Sequence, residues 1–391
     1  MAIKKLDYGR NYSSNFNFSV KLNRWVMKFI GVWPKPQEAS TLQRIIGHLK
    51  HFICYSLLLF FLISGGLVLF LDVHDIYHQI RMSGPLSFLA MAIVKYYTLV
   101  QRENEIRLCI ESIEDDWRSL KIDEDHRLMI SNVKFGRKLM AVSGFFMYGG
   151  ALFFYVITPF VIGRITAEDG NYTYLPLAYP VSSLIVDTRY DPANTIVFTV
   201  QGFTGLIVHS VPVACCSLTV VFVMHICGRI DVVISWLDRV DLNCNKLERI
   251  DEMFGEIITH HARTLSFIDQ AEYILREISF VEVVGCTLNM CFLSYYTLKE
   301  YTGRPDFTIT TYLVILSSMV ANIFILCYIG EILVGQCTKV GEMSYMIDWY
   351  KLPKKRGLNI ILMMAMSSNS TKSRLTAGNI MDLSLSRFGD V

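Results

Sequence analysis

Thr195–Gly228 reads TIVFTVQGFTGLIVHSVPVACCSLTVVFVMHICG, 34 residues without a Lys, Arg, Asp or Glu. A helix rises about 1.5 Å per residue and the hydrocarbon of a bilayer is about 30 Å thick, so roughly 20 apolar residues cross it. This run exceeds one crossing and predicts a helix that tilts or continues past the membrane. Pro212 is placed to kink it, since proline removes an i→i−4 hydrogen bond. His209 reads as a packed or cavity-facing polar group, because Pro212 and Val213 occupy the positions where a second metal ligand would stand. Cys215-Cys216 has no second pair at zinc spacing and reads as two small buried hydrophobes.

Further apolar runs lie on both sides. Phe52–Leu71 is uncharged over 20 residues and Leu139–Ile162 over 24. Leu86–Val100 is interrupted by Lys95, Ile278–Leu298 holds Glu282 near its start, and Ile309–Gly335 completes six spans. Pro85 suits the first position of the second membrane helix. Lys95 is expected to snorkel to the headgroups and Glu282 to be hydrogen-bonded one turn inside its helix. The chain is 52% apolar and 18% charged, which makes the bilayer its expected solvent. A net charge of +2 gives no global field for nucleic acid.

The segments between the spans alternate in character. Residues 1–51 are polar and basic, with Trp25, Phe29 and Trp33, and read as an interfacial helix or a packed segment. Residues 101–138 carry eight basic and nine acidic residues and read as helical extensions, as do residues 229–277. The apolar face Ile230, Val233, Ile234, Leu237 and Val240 needs a partner. Asp115-Asp116 and Asp123-Glu124-Asp125 read as solvated faces, and His260-His261 as a helix surface. With the N-terminus inside, inner segments hold 27 Lys or Arg and outer loops 5, so the positive-inside rule places it in the cytoplasm. No apolar core precedes Phe52, so insertion is expected to start with the first span. None of the ten cysteines falls in an outer loop, which argues against extracellular disulfides. Asn171-Tyr172-Thr173 is a glycosylation sequon in the 163–194 loop. No phosphate loop, metal-ligand set or catalytic arrangement is present, and neither an enzyme nor a cofactor is indicated.

The tail carries a second signature. Cys327-Tyr328-Ile329-Gly330 is followed by Trp349-Tyr350-Lys351-Leu352-Pro353, then Leu375-Thr376-Ala377-Gly378, then Ser384-Leu385-Ser386-Arg387-Phe388. In this order the pieces resemble the C-terminal third of the insect odorant receptors, whose tails carry Cys-Tyr-x-Gly, Trp-Tyr-x-x-Pro, Leu-Thr-Ala-Gly and Ser-Leu-x-x-Phe. The resemblance implies an all-α membrane protein with seven transmembrane helices and a cytoplasmic N-terminus. It divides the chain into the 1–51 segment, a six-helix body over 52–335, and an anchor segment with the start of the seventh helix over 336–391. In the family that last helix continues past the position of Val391, so here the seventh span is expected to be incomplete.

The same resemblance implies a ligand-binding tuning subunit of an odorant-gated, non-selective cation channel, assembled with the odorant co-receptor in the ciliary membrane of olfactory neurons. A gustatory-type chemoreceptor and a non-channel multi-pass transporter remain as alternatives. Tyr328, Gly330, Trp349, Tyr350 and Pro353 would lie in the subunit anchor, and Thr376 and Gly378 on the inner pore helix. The odorant site would be a largely apolar cavity between spans two, three, four and six. The direction of each span selects Phe88 and Met91; Phe146, Met147, Gly150 and Phe154; Phe198 and Gln201; Tyr312 and Leu316.

Overall fold

The computed structural model describes residues 8–36, 38, 40–120, 122–166, 173–239, 247–301, 307–347, 349–351, 354–368, 374–378 and 380–390. Asn171, Cys244 and Pro353 lie outside the described residues. The chain folds as α1 (Tyr8–Phe29), α2 (Thr41–Leu67), α3 (Ile76–Gln101), α4 (Glu103–Ser119), α5 (Asp123–Leu152) and α6 (Thr158–Ile162). Then come α7 (Ala193–Asp238), α8 (Leu247–Tyr301), α9 (Phe307–Met346), α10 (Lys354–Ser368) and α11 (Leu385–Asp390). Two short antiparallel hairpins join Ile165–Thr166 to Thr173–Tyr174 and Thr376–Ala377 to Met381–Asp382. Among the described residues, six helices, those containing the six apolar runs, are long and apolar enough to cross a membrane.

The uncharged run is the axis of the bundle. Every residue from Ile207 to Ile230 is buried, and α7 packs against α1, α3, α5, α8 and α9. A helix apolar all round needs neighbours all round. Close approach comes from small residues. A Cβ on Gly136 of α5 would stand 2.7 Å from Met224 of α7, so only glycine leaves that groove open. The helix continues past the apolar run to Asp238, and Val233 and Leu237 are fully buried against their neighbours. Val240 lies outside the described residues; the described part of the amphipathic face packs inside the same chain.

Several local expectations are corrected. α3 begins three helical turns before its span, with Asp75 as the cap accepting from the Tyr77 N–H, so Pro85 sits inside the helix. α1 takes the second of its two expected forms, a packed helix: Asn23 donates to Ser217 at 2.8 Å, and Arg137 donates to the Phe18 carbonyl at 2.7 Å. Lys95 does not reach the headgroups. It is fully buried and ion-paired with Glu282. Asn322 donates to the other Glu282 oxygen at 2.7 Å, and Ser143 donates to Asn322 at 3.2 Å. One network thus ties α3, α8, α9 and α5. The position is physically reasonable: a charge in a low-dielectric interior needs an opposite charge and further hydrogen bonds.

The acidic clusters are not all solvated either. Asp116 accepts from His225 at 2.9 Å and pairs with Arg229 at 2.8 Å, joining α4 to α7. Burial alone would raise the Asp116 carboxyl, but the His225 hydrogen bond and the Arg229 charge outweigh it and hold it below its ordinary range. Asp125 is buried and accepts from the Trp236 indole at 3.0 Å. His261 is buried, and the His260 ring lies 5.1 Å from that of Trp236.

The tail folds back on the bundle. Gly378, at a left-handed φ of +63°, turns the second hairpin, and its N–H donates to the Arg276 carbonyl of α8 at 2.9 Å. Thr376 donates to Glu272 at 2.6 Å. Thr376 and Gly378, expected on a pore helix, therefore occupy a hairpin ahead of α11. Gly330 of α9 faces Leu383 so closely that a Cβ would fall 2.2 Å from the Leu383 carbonyl. The Leu385 N–H donates to Glu331 at 3.3 Å, and the Phe388 ring meets Phe324, which stacks on Tyr328. Three of the four tail motifs are thus parts of one contact. Trp349 and Tyr350 form a separate short turn, with Tyr350 exposed.

Candidate functional site

A cavity of about 370 Å³ opens among α3, α5–α6, α7, α8, α9 and the 173–192 loop, at the end of the bundle away from α1. Its formation begins in α5. The helix widens into a π-turn over Phe153–Ile157, and the Thr158 hydroxyl closes on the Phe153 carbonyl at 2.8 Å. Such turns re-aim side chains and recur at functional sites. Here Phe154 and Tyr155 face the cavity. Gly205 of α7 allows it: a Cβ there would sit 2.6 Å from the Tyr155 ring.

The loop closes the cavity from the side. Asn194 at the head of α7 accepts from the Leu175 N–H at 2.9 Å and donates to the Leu175 carbonyl at 3.1 Å. Gln201, two turns on, accepts from the Tyr179 N–H and donates to the Tyr179 carbonyl. The Ser182 N–H donates to Ser64 of α2 at 3.1 Å. These bonds satisfy a backbone buried away from water, and they hold Pro176 to Pro180 against the cavity. The Tyr179 side chain is 1% exposed and its hydroxyl lies 2.7 Å from that of Tyr155. Burial lifts the Tyr179 phenol to about 12 against the lowering effect of that bond, so it stays protonated.

The remaining walls are helical faces. α9 contributes Thr311, Tyr312, Ile315, Ser318 and Met319; α8 contributes Asn289, Leu293 and Tyr296. Spacings of three and four residues put each set on one side of its helix. α3 gives Pro85, Leu86 and Phe88, with His78 and Arg81 at the rim. His209 completes the α7 wall, its ring 5.1 Å from Phe88 and 5.7 Å from Tyr155. The lining is mostly apolar with a few placed polar groups, the usual character of a small-molecule site.

Of the ten residues selected from sequence, Phe88, Phe154 and Tyr312 line this cavity. The other seven lie elsewhere. Met91 packs one turn below, against Gly285 of α8. Met147 is buried in the α5 core face, and Gly150 packs against Ser318. Phe146 lies edge-on to Phe145, Phe198 edge-on to Phe160, and Leu316 is half-buried at the edge of the core. Gln201 holds the loop. Sequence reasoning did not select Tyr179, Asn289, Leu293 or Tyr296. The signal for the α8 group was its 289–293–296 spacing; for the loop, it was the Pro-Leu-Ala-Tyr-Pro run at 176–180.

Comparisons with known proteins agree with the architecture. A family model described as "7tm Odorant receptor" matches residues 79–391. Odorant receptor 67c of Drosophila melanogaster is 23% identical over 138 residues, and odorant receptor 83a of the same fly 24% over 135. Those matches span 35% and 34% of this chain, and 33% and 29% of the two relatives' own length. The solved structure of the insect olfactory receptor OR5 from Machilis hrabei superposes with a TM-score of 0.76 at 13% identity, covering 98% of this chain and 96% of that one. The same receptor in complex with eugenol superposes with a TM-score of 0.73. The fold, its six apolar spans and the family match together make this chain a multi-pass membrane protein that belongs to the 7tm odorant receptor family.

Proposed function

We propose that this chain is the odorant-binding subunit of an odorant-gated, non-selective cation channel, assembled with the odorant co-receptor. The observation that carries the reading is the 370 Å³ cavity, enclosed by five helix faces and a pinned loop and lined mainly by aromatic and aliphatic side chains. Burial of a small apolar ligand there is driven by the hydrophobic effect, and shape and a few polar groups set selectivity. A relative of the same fold has been solved with eugenol, a small volatile, which supports this ligand class.

The N-terminus is assigned to the cytoplasm on the 27-to-5 bias of basic residues. The cavity then lies in the outer part of the membrane, and the membrane is that of olfactory sensory dendrites. Residues 336–391 serve as the anchor toward neighbouring subunits. Gating follows from differential affinity: the ligand must bind the open arrangement of the subunit better than the closed one. α8 is a physical route, since Asn289 faces the cavity and Glu282, about two turns along, holds the buried network.

The test is odour-evoked current in cells expressing this chain with the co-receptor, against each chain alone, using volatile alcohols, esters and aromatics. Current only in the pair is the expected result. Silence of the pair across the panel, with surface expression confirmed, would sink the channel-subunit reading.

A further inference from the structure

We infer that the cavity selects ligands that donate a hydrogen bond, small alcohols and phenols, with the His209 side chain as the acceptor. The inference rests on the cavity being the odorant site and adds the chemical class of odorant.

His209 is 7% exposed and lines the cavity. Its Nδ1 lies 3.0 Å from the Gly205 carbonyl, one turn back on α7. A carbonyl can only accept, so Nδ1 carries the proton of that bond. Among the described residues, no Asp or Glu lines the cavity to pair a charged imidazole there. The neutral ring with Nδ1 protonated leaves Nε2 as a bare lone pair. No described residue bonds to that nitrogen, and leaving an acceptor unpaired once a ligand fills the cavity is costly.

Several other polar groups of the lining turn donors back into the protein. Tyr296 donates to the Ile80 carbonyl, Ser318 to the Ile315 carbonyl at 2.7 Å, and Asn289 to the Gly285 carbonyl at 2.8 Å. Thr158 donates to the Phe153 carbonyl and meets Thr311 at 2.6 Å. Tyr155 and Tyr179 pair with each other, so one of their two O–H groups is left over, and both residues line the cavity with His209. A ligand hydroxyl matches both neighbours: it donates to Nε2 and accepts from that phenol. An ether or ester of the same skeleton can use the phenol alone, and it leaves Nε2 unpaired in a filled, dry cavity.

The test uses pairs of volatiles that differ only in the O–H, such as phenol with anisole and an n-alkanol with its methyl ether. Concentration–response curves are recorded for the wild-type chain with its co-receptor, for His209→Phe, and for His209→Gln, which keeps an acceptor. The wild type should respond to the hydroxyl compounds at about tenfold lower concentration than to the ethers, a typical weight for one buried hydrogen bond. His209→Phe should bring that ratio near one, and His209→Gln should keep part of it. A wild-type ratio near one overturns the inference whatever the variants do, and leaves the odorant-site reading standing. An unchanged ratio in a surface-expressed His209→Phe also overturns it. Failure of both members of every pair on the surface-expressed wild type would instead remove the odorant-site reading, and this inference with it.

Discussion

α7 runs through two unlike environments. Beyond Pro212 it is sheathed by α1, α5, α8 and α9, and its polar side chains pair with other helices, Ser217 with Asn23 and both His225 and Arg229 with Asp116, though the Arg229 Nε is left without a partner. Before Pro212 its neighbours stand back, a 370 Å³ space remains, and His209 faces it with one nitrogen unused. The run is uncharged on both sides of the proline. The difference is what the surrounding helices bring. Met129 and Met224 fill grooves at Gly228 and Gly136 in the packed half, whereas the π-turn of α5 swings Phe154 and Tyr155 out of register in the other. Satisfied, dense packing holds a fold; an incompletely filled pocket with an open polar valence binds something else.

The largest expected effect falls in the packed half. Glu282→Ala leaves Lys95 buried without its partner and strips Asn322 of its acceptor. Losing one partner of a buried pair costs about 3–5 kcal/mol. The variant should lose most of its surface expression and melt far below the wild type in detergent. Removing both charges, as Lys95→Met with Glu282→Leu, should recover much of that loss, since an apolar pair of similar volume avoids the desolvation cost. Equal damage from the single and the double variants would break the comparison, because the site would then depend on shape alone.

A smaller effect belongs to the boundary between the halves. Gln201→Ala orphans the N–H and carbonyl of Tyr179, at a cost of about 1–3 kcal/mol. The global fold does not rest on this loop, so the cost should appear as local opening. Backbone amides near Tyr179 should exchange hydrogen faster while those of α7 beyond Pro212 do not. Odorant responses should decay faster on washout. Uniform acceleration across α7 would show that the loop and the packed half are one cooperative unit.

How much of this was legible in the sequence follows the same division. The spans and the length of α7 were readable because hydropathy acts through composition, which one chain displays fully. The tail motifs were readable as a resemblance, and the structure supplies their physical content: Gly330 is small because the Leu383 carbonyl rests on it. Pairings between distant helices were not readable. Lys95 and Glu282 are 187 residues apart, and nothing local to either marks the other. Lys95 was therefore assigned to the headgroups and Asp116 to solvent, the usual places for single charges. The cavity was half readable for a related reason. Span direction gave the correct depth for Phe88, Phe154 and Tyr312, but helix rotation decides which side chain faces inward. The π-turn shifts that rotation within α5, so Phe146, Met147 and Gly150 project elsewhere while Phe154 reaches the cavity.

The smallest effect on stability is expected inside the cavity, where the functional effect should be clear. Phe154→Trp adds a ring to a side chain that already lines open space. Overpacking a filled core costs about 1–3 kcal/mol, but here there is room, and stability should change by less than about 0.5 kcal/mol. The larger ring instead takes volume from the ligand. Half-maximal concentrations should rise about tenfold or more for the bulkier odorants and less for the smallest, measured beside an unchanged melting temperature. Glu282→Ala should show the opposite pattern, with little receptor at the surface and what remains keeping its odorant preference. If Phe154→Trp lowers stability and leaves the ordering of odorants untouched, the space between α5, α7 and α9 is a packing gap and the ligand binds elsewhere. If it reorders the odorants by size at constant stability, the unfilled half of the bundle is where they bind.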